Sequence, residues 1–194
     1  RSEAEIAQGN PDRLIVALDG FHDAGAASRI VERTPGIEAA EPQLRLPATL
    51  SAPGAESFTA AVTLLDFRSP IWSPTITAGR PPSAARPEAV ISEKAAADLG
   101  VGIGDSITIA YPRRVGSGYT EASARVRVSG LHPDPFRTFA YMDPSVAALA
   151  GLAGVADQVS ATPEPGASEN RIARALFGVP AVASVERAPA TTEF

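Results

Sequence analysis

The stretch GRPPSAARPEAVISEKAAADLGVGIGDSITIAY, residues Gly79–Tyr111, decides how this chain is read. Ala89 to Ile91 is a short apolar run with β-branched residues, the mark of a buried strand. Ser92 stands where a helix N-cap is needed, and Glu93 puts a negative charge at the helix's positive end. The helix runs about two turns to Leu99, and Gly100 supplies its left-handed stop. Gly104-Asp105 then turns the chain into a strand in which Ile107, Ile109 and Tyr111 alternate with Ser106, Thr108 and Ala110. The order is strand, helix, glycine turn, strand. Gly100, Gly102 and Gly104 are therefore no phosphate cradle. A nucleotide loop follows a strand and opens a helix, whereas these glycines close a helix and open a strand, and no Gly-Lys-Ser/Thr is present.

Working outward, Leu14, Val16 and Leu18 alternate with Arg13, Ile15 and Ala17 as a half-buried strand that Asp19-Gly20 breaks. Ala26, Ala27, Ile30, Val31 and Thr34 fall at helical spacing until Pro35-Gly36, and a second strand runs from Ile37 through Leu44, Leu46, Ala48 and Leu50. A similar arm lies near the other end: Gln158 to Thr162 as strand, Ile172, Ala175 and Leu176 as helix stripe, Val182 to Val185 as closing strand. Ser28 to Ala40 (SRIVERTPGIEAA) and Asn170 to Val182 (NRIARALFGVPAV) match at an offset of 142 residues, with Arg29 on Arg171, Ile30 on Ile172, Gly36 on Gly178 and Ala39 on Ala181. Two strand-helix-strand units pack into one four-stranded sheet with both helices on a single face. The expected fold is α+β, two β-α-β halves forming a discontinuous subdomain over residues 12–50 and 155–190, with an inserted β-rich subdomain over 51–154. Residues 1–11 and 191–194 are terminal stalk segments.

Within the insertion, Phe58, Ala60, Val62 and Leu64 mark a strand. Arg68 to Glu88 is a proline-rich loop carrying the only tryptophan, Trp72, which either contacts a partner or plugs the lobe's own core. Pro112 to Ser123 reads as a mobile loop with Arg113, Arg114 and Tyr119 near its tip, either partner contacts or a solvated hairpin end. Arg125 to Ser129 is a strand with Val126 and Val128 inward. Phe136, Phe139 and Tyr141 form a further apolar run, and Asp143-Pro144 starts a helix before Val146, Leu149 and Leu152.

Composition removes several function classes. A net charge of −5 with both signs scattered carries no basic footprint for nucleic acid. Without cysteine there is no disulfide, zinc-thiolate site or thiol catalysis. The longest apolar run, Val146 to Ala156, spans about 17 Å as a helix against a hydrocarbon core of about 30 Å. His22 and His132 sit in no ligand or nucleophile motif, and Asp19 with Asp23, like Asp134 with Asp143, suits helix starts and turns better than a catalytic pair. The sequence assigns no catalytic, cofactor-binding or metal-ligating residue.

The opening stretch resembles the extracytoplasmic domain of MacB/FtsX-type ABC transporter permeases, where a G-R-x-P … E-x-x-I-S … A-x-x-L-G … G-D-x-I/V phrase is common. Gly79, Arg80, Pro82, Glu88, Ile91, Ser92, Ala96, Leu99, Gly100, Gly104, Asp105 and Ile107 carry it. The resemblance implies a porter-like α/β subdomain interrupted by a mainly β one, outside the cell membrane, transmitting ATP-driven motion without chemistry of its own. It implies an ATP-binding cassette subunit reached through transmembrane helices, a second copy or paralogous domain, and an accessory or substrate protein, peptide or lipid. The alternative is an FtsX-like regulator that recruits a cell-wall hydrolase; a hydrolase or metal site of its own is the third reading.

Overall fold

The computed structural model describes residues 13–188, so the proposed stalk segments 1–11 and 191–194 lie outside the described residues. The chain is a mixed α+β protein of two compact units. One comprises residues 13–44, 68–73 and 154–188, the other residues 45–67 and 74–153.

The first unit contains β1 (Leu14–Asp23), α1 (Ala24–Glu32), the opening part of β2 (Ile37–Ser51), β9 (Val155–Pro163), α3 (Glu169–Phe177) and β10 (Val182–Arg187). Its four strands lie in the order β10-β1-β9-β2, antiparallel throughout. Alternation sends Leu14, Val16, Val159 and Ala161 to one face, where Ala27 and Val31 of α1 and Ile172 and Leu176 of α3 cover them. One cluster therefore holds both helices on the same side of the sheet. Asp23 Oδ1 accepts the Ala26 N–H at 2.8 Å and Ser168 Oγ accepts the Arg171 N–H at 3.4 Å, so both helices start on a side-chain cap. Asp19-Gly20 does not end β1. It shifts the register between Ala17 and His22, and pairing resumes at His22 and Asp23 against Ala156 and Val155.

The halves repeat, but not at the offset the residue identities suggest. Core positions correspond at 145 residues: Leu14 with Val159, Val16 with Ala161, Ala27 with Ile172, Val31 with Leu176, and Ile37 with Val182. The caps Asp23 and Ser168, and the final-turn Arg29 and Arg174, keep the same spacing. Pairing obeys it too. Val16↔Val185 is the image of Ala161↔Ala40, and Ile15 pairs with its own counterpart Ser160, so a pseudo-two-fold axis passes between those two residues. The 142-residue alignment sets Ile30, 40 % exposed, on Ile172, 1 % exposed. Burial, not identity, defines the true register.

The second unit holds the rest of β2, β3 (Phe58–Leu64), β4 (Ala78–Gly79), β5 (Glu88–Ser92), α2 (Glu93–Leu99), β6 (Ser106–Val115), β7 (Gly118–His132), β8 (Phe139–Met142) and a 3₁₀ helix (Pro144–Ala150). β2 neighbours both β3 and β6, and the chain of neighbours β3-β8-β5-β7-β6 completes a ring of six strands. A closed ring leaves its members no bare edge. Leu46, Ala48, Val62, Leu64, Ile109 and Val126 are buried, and with the 3₁₀ helix they leave a cavity of only about 30 Å³. The element after Asp143-Pro144 is a 3₁₀ rather than an α-helix, and Ala147 and Ala150, three apart, supply its buried face. In β8 the buried residues are Ala140 and Met142, while Phe136 is 64 % exposed; the aromatic run expected there takes the outer parity of the strand.

Candidate functional site

The GRPP phrase closes a clasp. Gly79 has φ +76°, and a Cβ there would stand 2.2 Å from the Ser129 carbonyl oxygen, so only glycine lets β4 lie against β7. Directly after it, Arg80 makes a two-pronged contact with Glu88, Nη1 to Oε1 at 2.8 Å and Nη2 to Oε2 at 2.7 Å. The Ser83 N–H donates to Glu88 Oε1 at 2.8 Å, and Arg86 Nε lies 3.6 Å from Oε2. The Glu88 side chain is wholly buried. The Arg80 hydrogen bonds hold its carboxyl below the ordinary range against the opposing cost of burial. Pro81, Pro82 and Pro87 thus belong to a loop pinned at both ends by one ion pair. Ser92 caps α2 by accepting the Ala95 N–H at 2.9 Å, and Gly100 ends it at φ +67°, as the sequence requires.

The candidate contact residues separate. Arg113, Arg114 and Tyr119 belong to the second unit, but not to a loop. β6 and β7 pair without interruption from Ser106↔Arg127 to Val115↔Gly118, turning only at Gly116-Ser117. Residues 113–121 of this ribbon are exposed, including Val115 at 58 % and Tyr119 at 56 %. One face carries Arg114 from β6 and Tyr119, Glu121, Arg125 and Arg127 from β7, as the alternation of the paired strands dictates. Arg125 and Arg127, read from the sequence as outward positions of a strand, share the face with Arg114 and Tyr119 because the ladder continues to the tip.

Trp72 lies elsewhere. Residues 68–73 belong to the α/β unit, although the sequence reading put them in the inserted lobe. There Arg13 Cζ sits 4.0 Å over the half-buried Trp72 ring, and Ile71 is buried beside it. The tryptophan thus packs in the unit opposite in kind to the one its flanking strands suggest.

The titratable groups are engaged in structure. His22 Nε2 lies 2.6 Å from Asp19 Oδ1 at an exposed turn. His132 is buried; its Nε2 meets the Phe139 carbonyl at 2.9 Å while Nδ1 faces the Asp134 N–H at 3.4 Å, a pattern that suits the neutral Nε2–H tautomer. Burial pushes its pKa down. Asp134 and Asp143 accept backbone N–H groups of Phe136 and Ser145. Among the described residues no three His, Cys, Asp or Glu side chains stand close enough to hold a metal ion, and no helix is long and apolar enough to cross a membrane.

Against known proteins, a family model described as the MacB-like periplasmic core domain matches residues 3–177. Two solved structures share the fold. The extracellular domain of the noncanonic ABC-type transporter YknZ from Gram-positive bacteria superposes with a TM-score of 0.57 at 12 % identity, over 86 % of this chain and 89 % of that one. The periplasmic region of MacB from Actinobacillus actinomycetemcomitans gives 0.59 at 12 % identity, over 93 % and 90 %. No curated protein matches the chain.

Proposed function

The chain belongs to the MacB-like periplasmic core domain family and is an extracytoplasmic domain of a MacB-like ABC transporter permease; from that premise we propose that it works as a non-enzymatic lever. ATP hydrolysis takes place in a separate cassette subunit, and transmembrane helices carry the motion outward to this domain and to a second copy or paralogue beside it. The α/β unit, porter-like in this reading, receives the motion; the β-rich unit engages substrate or an accessory protein, with Arg113, Arg114 and Tyr119 as contacts.

One observation supports the lever above the rest. The Ala188 N–H donates to the Arg13 carbonyl at 3.0 Å, next to the Leu14↔Arg187 pair, so the strands leading in and out of the unit are tied side by side. Displacements of two membrane helices would then enter at one point and move the sheet as a body. The Trp72 ring rests on Arg13 at that same point.

A flexible insertion tests this. In the intact permease, about ten Gly/Ser residues placed before Arg13 and after Ala188 supply slack of several ångströms per residue and should abolish ATP-driven transport while basal ATPase activity persists. Transport at the unmodified rate would end the lever reading.

A further inference from the structure

The β6–β7 ribbon gathers four exposed arginines, Arg113, Arg114, Arg125 and Arg127. Several other arginines have acidic partners, Arg80 and Arg86 on Glu88, Arg137 on Asp98 and Arg187 on Glu169, while Arg29, Arg33, Arg171 and Arg174, on or beside the two helices of the α/β unit, stand in no ion pair among the described residues. Among the described residues, Arg113, Arg114, Arg125 and Arg127 take part in no ion pair and no side-chain hydrogen bond. All four are exposed. Arg114, Arg125 and Arg127 share one face, on which Glu121 is the sole acid between Tyr119 and Arg127. From Arg127 to Tyr119 this face runs about 26 Å, eight residues at roughly 3.3 Å each. In a protein of net charge −5 such a stripe is a local reversal of sign.

Resting on the lever reading above, we propose that this face is a docking surface for a protein partner that presents an elongated acidic face. The guanidinium groups of Arg125 and Arg127, at successive outward positions, repel one another until a carboxylate comes between them, so an acidic partner gains pairing along the face and relief of repulsion at its base. Tyrosine and arginine are also the residue types that anchor protein interfaces. A protein occupant suits the pattern better than a lipid surface. The charge stands at both ends of the face, Arg114 near the tip and Arg125 and Arg127 toward the base opposite Thr108 and Ser106, and apolar residues for insertion are confined to Val115 and Tyr119 at the tip.

The probe is poly-L-glutamate of about 20 residues, titrated into the isotopically labelled chain at about 20 mM salt, where surface charges are weakly screened. Amide shifts should move along residues 106–127, and the affinity should fall roughly tenfold in Arg114→Ser/Arg125→Ser/Arg127→Ser and about threefold in Arg125→Ser alone. These positions are exposed, and an unchanged circular dichroism spectrum certifies the fold. Shifts centred outside the ribbon, or equal binding by the triple variant, overturn the proposal. So does binding to phosphatidylglycerol vesicles through the same residues with no response to polyglutamate. The lever fails separately: transport that survives the flexible insertions leaves ribbon binding untouched, and a ribbon indifferent to polyglutamate leaves the effect of those insertions in place.

Discussion

Removing Arg80 should cost more stability than removing its partner Glu88, although the two make the same contact. Glu88 is wholly buried and Arg80 is half exposed. In Glu88→Ala the guanidinium turns to water, and the loss is limited to the hydrogen bonds and packing, about 2 kcal/mol. In Arg80→Ala a buried carboxylate keeps only the Ser83 N–H at 2.8 Å and Arg86 at 3.6 Å. Stranding a buried charge costs about 3–5 kcal/mol, and those two remaining partners set the value near the lower end, about 3 kcal/mol. The double variant should resemble Glu88→Ala alone, since removing the carboxylate removes what Arg80 was needed for. Acid supplies a second discriminator. Glu88 has a lowered pKa in the folded chain, so its pairing stabilises fully above the ordinary carboxylate value of about 4.3 and that contribution is lost as pH falls through the lower folded value. The Arg80→Ala penalty should therefore shrink toward zero in acid. Urea unfolding followed by circular dichroism at neutral pH and at about pH 3.5 reads both effects. A smaller penalty for Arg80→Ala than for Glu88→Ala at neutral pH, or a penalty that ignores acid, would refute the view of Glu88 as a buried charge held by its clasp.

The repeat register makes a prediction of its own: Ile172→Ala, in the core, should cost about 3 kcal/mol and Ile30→Ala less than about 1, measured by the same unfolding curves. Equal costs would favour the 142-residue alignment. For His132, whose folded pKa is lowered by burial, the unfolded chain takes up its proton first as pH falls below about 6.5. Stability is full above that value and declines as pH drops toward the folded pKa. His132→Gln should flatten the urea midpoint between about pH 7 and 5, and a variant that keeps the wild-type slope would assign it to another group.

Local grammar was legible where one residue type answers one backbone demand. Ser92, Gly100 and Gly104 sit where a cap, a left-handed stop and a turn demand them, and Ile107 and Ile109 are buried as their alternation requires. Features set by distant pairing were not. Asp19-Gly20 reads as a stop, yet β9 and β10 continue to engage β1 on both sides of it, through Asp19 N to the Ala181 carbonyl at 2.9 Å and His22 opposite Ala156. Pro112 to Ser123 reads as a loop because Pro112 and the run Gly116-Ser117-Gly118 are turn signals, while the ladder from Ser106 to Val115 carries the pair through. Nothing near Trp72 in sequence announces Arg13, 59 positions away, as its neighbour. The clasp was half visible: Arg80 and Glu88 both belong to the phrase, but their bond depends on a loop folding back across eight residues. Two of the four identities in the 142-residue match are arginine and alanine, which this composition makes abundant, and the match set an exposed Ile30 on a buried Ile172, so it weighed identities that burial does not share.

The pseudo-symmetry bears on how the proposed lever would carry load. Under the 145-residue relation, Arg13 corresponds to Gln158 and Ala188 to Gln43. Where one half joins Arg13 to Ala188 through the backbone, the other half joins Gln158 Nε2 to Gln43 Oε1 at 2.7 Å. From Gln43 the chain passes through Leu44 into the β-rich unit, and after the excursion of residues 68–73 it returns finally to the α/β unit at Gly154, four residues before Gln158. The two-fold thus interchanges the pair of strand ends that leads out of the domain with the pair that leads into the inserted unit. Because β1 and β9 are antiparallel, these attachments sit at opposite ends of the central ladder from Leu14↔Ala161 to Ala17↔Gln158. If the domain works as the lever proposed above, force applied at Arg13 and resisted at Gln158 would run along the strands and across hydrogen bonds perpendicular to it, so the ladder would share it rather than open one bond at a time. An insertion between the two halves keeps this path whole. The same lobe placed within either β-α-β half would interrupt that path.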